Sequence, residues 1–408
     1  MEHLIIDRLG HQGDGIAAGP VYVPGALPGE EVEGAVTDGV MATPRILTPS
    51  SDRVRPPCRH AKSCGGCQLQ HASDAFLADW KVEVVRTALA AQGLSAPFRP
   101  IAVSPAQSRR RATFSARRTK KGGLAGFHMK ASDVIVSVPD CQLVRPQIAA
   151  ALPLAEELAV LAASRKGELS VLMTRSADGL DLSVTGGKPL DAPLSAALAN
   201  LARKYDLARI GWDGDFAIPR RPPRQIMGRA EVVAPPGAFL QATPEGEAAL
   251  LDAVREAVGE AGRIVDLFAG CGTFALPLAD AARVHAVEGS APMLTALDHG
   301  ARNAQGLKPL STETRDLFRN PLLAEELSRY DAVVIDPPRA GAEAQIAQIA
   351  KARVPRIAHV SCNPVTFARD CAALVSAGYR IDWVQVVDQF RWSTHVEMAA
   401  QLRVEGQA

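Results

Sequence analysis

The chain has no long apolar run, no excess of charge of either sign, and no internal repeat or low-complexity tract. No stretch approaches the roughly 20 uninterrupted apolar residues of a membrane span. The opening Met1-Glu2-His3-Leu4 lacks the basic and apolar regions of a secretory signal, so a cytoplasmic location is expected. Lys plus Arg number 45 against 44 for Asp plus Glu, a balance that lowers the odds of a nucleic-acid partner. The absence of a repeat sets solenoid architectures aside. Cysteine is scarce, at seven residues, and without a signal segment those seven argue against disulfides and for metal or catalytic use.

What is present points to an enzyme of two or three domains, because 408 residues exceed one ordinary core. The near-neutral average hides an uneven charge distribution. Residues 101–130 carry Arg109, Arg110, Arg111, Arg117, Arg118, Lys120, Lys121 and Lys130 with no acid, whereas residues 231–343 carry nine basic against seventeen acidic residues. One face is therefore expected to attract phosphates, the first seven of those basic residues being the RNA-binding candidates. A solvated charge run is the plainer alternative, but the interleaved Thr113, Phe114 and Ser115 favour a strand whose basic side chains meet a partner.

The first fifty residues alternate short Val/Ile/Leu runs with Gly10, Gly13, Gly15, Gly19, Gly25, Pro28 and Gly29, the pattern of a small antiparallel barrel. Its two basic and seven acidic residues make it a weak grip for phosphates. Leu77, Trp80, Val84, Val85 and Leu89 then fall on one helical face, an expected docking stripe. From Ile101 to about Gly237, strand-like runs and one apolar helix near Ile148 to Ala163 suggest an α+β middle domain. Beyond Phe239 the alternation becomes regular. A helix is expected near Pro244 to Val258 and another after Thr273. Strands are expected at Ile264–Leu267, Val284–Val287, Ala332–Ile335, Ile357–Val360, Trp383–Val387 and Val396–Val404. Alternating strands and helices imply a largely parallel, doubly wound α/β sheet.

Such sheets bind ligands outside the carboxyl ends of their strands, and the motifs fall there. Asp266-Leu267-Phe268-Ala269-Gly270-Cys271-Gly272 runs from a strand into a glycine turn, and Glu288 ends the next strand, where a carboxylate can accept from both ribose hydroxyls. The missing third glycine favours a nucleoside cofactor such as S-adenosylmethionine over a dinucleotide. Asp316 lies where a third strand should end and could meet the adenine, or could cap a helix. Asp336-Pro337-Pro338 makes a rigid lip, and the Arg339 that follows, in place of a stacking aromatic, points to a carbon rather than an exocyclic amine as the methylated atom.

Carbon 5 of uracil is too weak a nucleophile to take a methyl group unaided. Addition of a thiolate at carbon 6 turns the ring into an enolate with charge at carbon 5, and Cys362, in the turn Ser361-Cys362-Asn363-Pro364, would supply that thiolate. A base must then remove the carbon-5 proton. Glu397, in Thr394-His395-Val396-Glu397, is the best-placed carboxylate, sharing a strand face with His395. An inert buried thiol is the plainer reading of Cys362. Cys58, Cys64 and Cys67 lie on a tight loop and Cys141 is the one other cysteine in the first 270 residues. Four thiolates suit a four-iron cluster or zinc. Cys271 and Cys371 remain as packing residues.

These motifs together resemble the RNA uracil-5-methyltransferase family, and most closely its iron-sulfur 23S ribosomal RNA branch. The N-terminal segment resembles a TRAM domain through Leu9-Gly10-His11-Gln12-Gly13-Asp14-Gly15-Ile16-Ala17 and Pro24-Gly25-Ala26-Leu27-Pro28-Gly29-Glu30. The resemblance implies a [4Fe-4S] cluster on Cys58, Cys64, Cys67 and Cys141, with Cys362 as nucleophile and Glu397 as base. It adds Gln241 as a cofactor and uracil contact beside Glu288, Asp336 and the glycine turn, although Thr243 stands where the family usually has Asn. It further implies a TRAM-like barrel over 1–52, an iron-sulfur and RNA-binding domain over 53–75 and 107–238, and a class I methyltransferase domain over 76–106 and 239–408. A monomer acting on an unstacked uridine of ribosomal RNA follows. The rivals are a transfer RNA uracil-5-methyltransferase, a cytosine-5 enzyme, which would need a second cysteine at a strand end, and a non-catalytic RNA-binding factor.

Overall fold

The computed structural model describes residues 1–214 and 216–406. At the N-terminus, β1 (Glu2–Leu9), β2 (Asp14–Ala17), β3 (Val21–Pro24), β4 (Glu31–Gly34) and β5 (Arg45–Thr48) form one antiparallel sheet in the order β3-β2-β1-β4-β5. It wraps Ile6, Ala17, Val23, Ala26, Val32 and Met41. Glu30 is fully buried beside it and accepts from the Leu27 amide and from Arg53 Nη2, both at 2.8 Å. Burial pushes this carboxyl up, but Arg53 and the Leu27 and Ser50 amides outweigh it and hold the group below its ordinary value. Arg53 thereby ties the sheet to the cysteine-bearing segment.

Helix α1 (Asp74–Ala90) starts at Ser73, whose Oγ accepts from the Phe76 amide at 3.2 Å. Leu77, Trp80, Val85 and Leu89 are buried as the stripe predicts, and Val84 is half-buried. Full burial of each aliphatic side chain stabilises by about 1.5–3 kcal/mol. The stripe also contains Lys81, fully buried, with Nζ 2.6 Å from Asp388 Oδ1 and donating to Phe390 O at 3.1 Å. Period-based reading assigns a lysine to the solvent face, and only a carboxylate distant in sequence makes this one tolerable inside.

Strand β6 (Ala102–Val103) leads into a seven-stranded sheet built from β7 (Arg111–Thr119), β8 (Gly122–His128), β9 (Ile135–Val136), β10 (Glu168–Ser176), β11 (Gly179–Thr185), β12 (Arg209–Trp212) and β13 (Phe216–Pro219). Its order is β13-β12-β11-β10-β7-β8-β9, antiparallel except between β11 and β12. The helix expected near Ile148–Ala163 is split into α2 (Pro146–Ala150) and α3 (Leu152–Ala162). Pro153, in the first turn of α3, has no N–H to continue α2 and clashes with the carbonyl four residues back. Helix α4 (Ala192–Lys204) completes this core, and the hairpin β14 (Arg224–Met227) and β15 (Ala230–Val233) follows.

The remaining elements are α5 (Pro244–Val258), β16 (Arg263–Leu267), α6 (Ala275–Leu278), β17 (Arg283–Glu288), α7 (Ala291–Asn303), β18 (Leu310–Thr314), α8 (Ala324–Leu327), β19 (Ala332–Ile335), α9 (Glu343–Ala352), β20 (Arg356–Ser361), α10 (Pro364–Ser376), β21 (Tyr379–Asp388) and β22 (Glu397–Val404). They form an eight-stranded sheet in the order β18-β17-β16-β19-β20-β22-β21-β6. It is parallel from β18 to β20, with apolar clusters on both faces. β22 runs antiparallel to β20 and β21, because a connection as short as 389–396 leaves no room for a parallel crossover. β6 pairs with β21 and α1 packs on α10, so residues 74–103 belong structurally with this sheet. No helix among the described residues is long and apolar enough to cross a membrane.

Candidate active site

A cavity of about 730 Å³ opens at the carboxyl ends of β16, β17, β19 and β20. Gln241, Phe268, Gly270, Glu288, Asp316, Asp336, Cys362 and Glu397 all line it. Strand register brings the last two together. In the antiparallel β20–β22 ladder Ser361 faces Met398, so one step further places residue 362 opposite residue 397. Glu397 is only 4% exposed.

The Cys362 loop is held by its own polar neighbours. Ser361 Oγ accepts from the Asn363 amide at 3.2 Å, and Asn363 caps α10 by accepting from the Val365 amide at 3.1 Å. Asn363 Nδ2 and Thr366 Oγ1 both donate to Arg339 O, at 2.9 and 3.3 Å, stitching this turn to the Asp336-Pro337-Pro338-Arg339 lip. The electrostatics favour the protonated thiol at rest. Burial, then Glu397 and Asp336, push Cys362 up to about 11 against the opposing pull of Arg339. Burial pushes Asp336 up to about 7. Burial and the Asp336 charge raise Glu397 well above an ordinary carboxylate, which favours its protonated form at rest and makes its ionised form a stronger base than an exposed carboxylate.

At the other end, Phe268 adopts a positive φ of 62°, a backbone strain of the kind that clusters at ligand sites. Its ring lies 5.3 Å from that of Phe318. Glu288 is oriented by two backbone donors, the Gly270 amide at 3.0 Å and the Ser290 amide at 2.9 Å. Asp316 lines the cavity while its Oδ1 accepts from the Phe318 and Arg319 amides at 3.0 and 3.2 Å, closing a turn rather than capping a helix. Gln241 is fixed by Gln389, whose Nε2 donates to Gln241 Oε1 at 2.6 Å. Thr243 caps α5, its Oγ1 accepting from the Gly246 amide at 3.0 Å.

Two expected cofactor residues lie outside the lining. Asp266 is fully buried with neither carboxylate oxygen hydrogen-bonded. It points to the Ile264 side of β16 by strand alternation, behind the glycine turn. Burial, joined by the Asp336 charge, raises its carboxyl far above normal; the Ala275 amide opposes this from beyond hydrogen-bond geometry. Gly272, at φ 96°, is needed for packing, since a Cβ there would stand 2.8 Å from Leu276 Cδ1. His395 also differs from expectation. It precedes β22, and it reaches the cavity from the loop, bonded to Arg339.

The basic run divides. Arg110 is corrected from an RNA-binding candidate to a buried structural residue, 8% exposed, paired with Glu247 and donating to Gln241 O at 3.0 Å. Counting back by twos from the buried Ala112, Phe114 and Ala116 explains its inward aim. Arg111 donates to Leu240 O at 3.0 Å and lies over Phe239. Arg117 pairs with Glu168 at 2.6 Å. Arg118, Lys120 and Lys121 stand exposed around the β7–β8 turn. Arg109 is half-buried and lines the active cavity. Phe390 lines the cavity, and Gln389 and Lys81 support the loop that carries it, roles that sequence patterning misses. The signal for the first two is the polar and aromatic run Gln389-Phe390-Arg391-Trp392 that follows β21.

Cys58, Cys64, Cys67 and Cys141 line one further cavity of about 240 Å³. The Gly66 amide points at Cys64 Sγ (3.4 Å) and the Leu143 amide at Cys141 Sγ (3.5 Å). Burial pushes Cys67 up to about 12 and raises Cys64 and Cys141. Among the described residues, no group of three or more His, Cys, Asp or Glu is spaced to hold a metal ion. Cys271 and Cys371 are buried in the catalytic core.

Residues 230–404 match the family model described as tRNA (Uracil-5-)-methyltransferase. The chain is 44% identical over 402 residues to an uncharacterized RNA methyltransferase of Brucella suis, covering 98% of this chain and 97% of the relative. It is 35% identical over 426 residues to the 23S rRNA (uracil(1939)-C(5))-methyltransferase RlmD of Halomonas elongata, covering 97% and 88%. Among solved structures it is similar in fold to the Pyrococcus abyssi tRNA (uracil-54, C5)-methyltransferase in complex with S-adenosyl-L-homocysteine. The TM-score is 0.74 at 22% identity, over 98% and 99% of the two chains. With a cavity that gathers the Cys362 thiol and four carboxyls at one edge of the sheet, and with relatives of this identity over nearly all of its length, the chain belongs to the uracil-5-methyltransferase family of RNA methyltransferases.

Proposed function

We propose that this protein methylates carbon 5 of a uridine in 23S ribosomal RNA, using S-adenosylmethionine and a covalent step at Cys362. The observation that carries the reading is the shared cavity of Cys362, Glu397 and Asp336, with Glu288 and Phe268 at its far end. S-adenosylmethionine supplies an electrophilic methyl group on a cationic sulfur. Glu288 suits the ribose hydroxyls, and Phe268 and Phe318 suit the adenine.

Cys362 loses its proton to solvent and the resulting thiolate bonds to carbon 6 of an unstacked uracil, moving the ring electrons toward carbon 5. Carbon 5 takes the methyl group. Glu397 then accepts the carbon-5 proton, the double bond re-forms and the carbon–sulfur bond breaks, returning Cys362 as a thiolate that regains its proton from solvent. A carboxyl raised by burial suits that last transfer better than an exposed one.

Four thiols lining one cavity of about 240 Å³, without the close spacing a single ion needs, support a [4Fe-4S] reading of this site, as do the backbone amides that face two of the sulfurs in the manner that tunes cluster thiolates. Cys58, Cys64, Cys67 and Cys141 would be its ligands, and it would serve as a closed, structural or electron-holding group. The N-terminal sheet and the exposed Arg118, Lys120 and Lys121 would position the RNA.

The decisive experiment incubates the protein and S-adenosylmethionine with 5-fluorouridine-substituted 23S ribosomal RNA fragments. A stable adduct at Cys362, lost in Cys362→Ala while cofactor binding persists, is expected. No adduct at that residue would overturn the covalent route. The family model's description favours transfer RNA as a second reading, and mapping 5-methyluridine in both RNA classes from a deletion strain decides between them.

A further inference from the structure

Arg109 belongs to both cavities. It lines the cysteine cavity with Cys67 and Cys141 and also the active cavity with Cys362 and Glu397. Its Nε donates to Arg111 O at 3.1 Å, and its guanidinium carbon stands 5.6 Å from the centroid of Phe390. Phe390 in turn meets His395 edge-on at 5.6 Å, and both rings face the substrate space.

The loop that carries those rings is also bonded to the cysteine segment. Trp392 O accepts from the amides of Gln68 and Leu69, both at 3.0 Å, and those residues directly follow Cys67. Other anchors come from elsewhere: Lys81 holds Phe390 O, the Ala242 amide donates to Gln389 Oε1 at 2.8 Å, Gln389 donates to Gln241, Arg391 pairs with Asp74 and donates to Ser104 O at 3.2 Å, and His395 meets Arg339. Residues 389–395 are therefore shared between the cysteine site and the base site.

We infer that Arg109 is a positioning residue which, with the Gln68 and Leu69 amides, fixes the Phe390–His395 loop against the target base, so that the cysteine site sets how firmly the base is held. The inference rests on the reading of the four cysteines as a cluster site. The physical basis is that guanidinium is a permanent cation and ligating thiols are anions. A filled cysteine site thus offers Arg109 a counter-charge on one side while the Phe390 face occupies the other. Losing the thiolates leaves the cation without that restraint and frees the cysteine segment that carries the two amides.

The test is hydrogen exchange of segment 389–395 in purified holoprotein, in metal-stripped protein and in Arg109→Ala, with iron content, RNA KM, kcat and S-adenosylmethionine affinity measured on each. Arg109→Ala, with its iron retained, is expected to exchange about ten-fold faster in this segment and to raise RNA KM about ten-fold. Its kcat should stay within about two-fold and its cofactor affinity should not change. Stripping the metal should give the same exchange signature, and Arg109→Lys should restore part of the protection. Wild-type exchange and KM in Arg109→Ala would overturn the inference, as would a segment indifferent to stripping. If Arg109→Ala does not fold, Arg109→Gln takes its place under the same criteria. Wild-type protein without iron would defeat the cluster reading instead, and the variant's exchange would still judge Arg109 by itself.

Discussion

Replacing Asp336 by Asn should make the protein more stable, and by an amount that depends on pH. Burial raises this carboxyl from 3.8 to about 7, and at about 1.4 kcal/mol per unit the ionised group costs the folded state up to about 4 kcal/mol. The sign follows from proton counting. Between those two values the folded chain binds the proton more tightly than the unfolded chain, so stability falls as pH rises through the window and the full cost is present above 7. Asn cannot ionise and lacks this slope. Urea unfolding of nucleotide-free wild-type and Asp336→Asn protein at pH 5, 6, 7 and 8 should show the variant's advantage growing by about 2–3 kcal/mol. It should level off between pH 7 and 8. Because the Asp336 charge also raises Cys362, alkylation of that thiol by iodoacetamide, followed on its own peptide, should titrate at lower pH in the variant. A stability difference constant from pH 5 to 8 would refute the argument that this place in the cavity disfavours the ionised carboxyl.

Other outcomes follow from single contacts. Glu397→Gln should trap a methylated RNA adduct on Cys362, detectable by mass spectrometry; ordinary turnover would remove Glu397 as the base. Lys81→Met leaves Asp388 charged and buried, and should cost about 3–5 kcal/mol in urea unfolding, far beyond the effect of an exposed lysine. Changing the exposed Lys120 and Lys121 to Glu should weaken RNA binding across sequences and flatten its salt dependence by roughly one unit of slope per lost phosphate contact. The buried Arg110 should show no such salt signature, its loss appearing as instability instead. Anaerobically purified protein should carry iron and absorb visible light, with both lost in Cys64→Ser.

Much of this protein was determined by sequence alone, because local rules apply to it. The helix Pro244–Val258 and the strand Ala332–Ile335 have the bounds that patterning predicts, and Thr243 caps its helix as its side-chain chemistry requires. The strand-end residues Glu288, Asp336 and Cys362 share one cavity because parallel strands deliver all their carboxyl ends to one edge. What tertiary structure decided is whatever depends on partners far apart in the chain. Lys81 is inside because Asp388 is there, and Arg110 faces Glu247 instead of solvent. Asp266 lies behind the turn it introduces. The Gln389–His395 loop joins the cysteine segment to the active cavity through contacts that no spacing encodes. Charge and polarity are visible in one dimension, but whether a charge is solvated, paired or poised for chemistry depends on what the fold brings within a few ångströms of it.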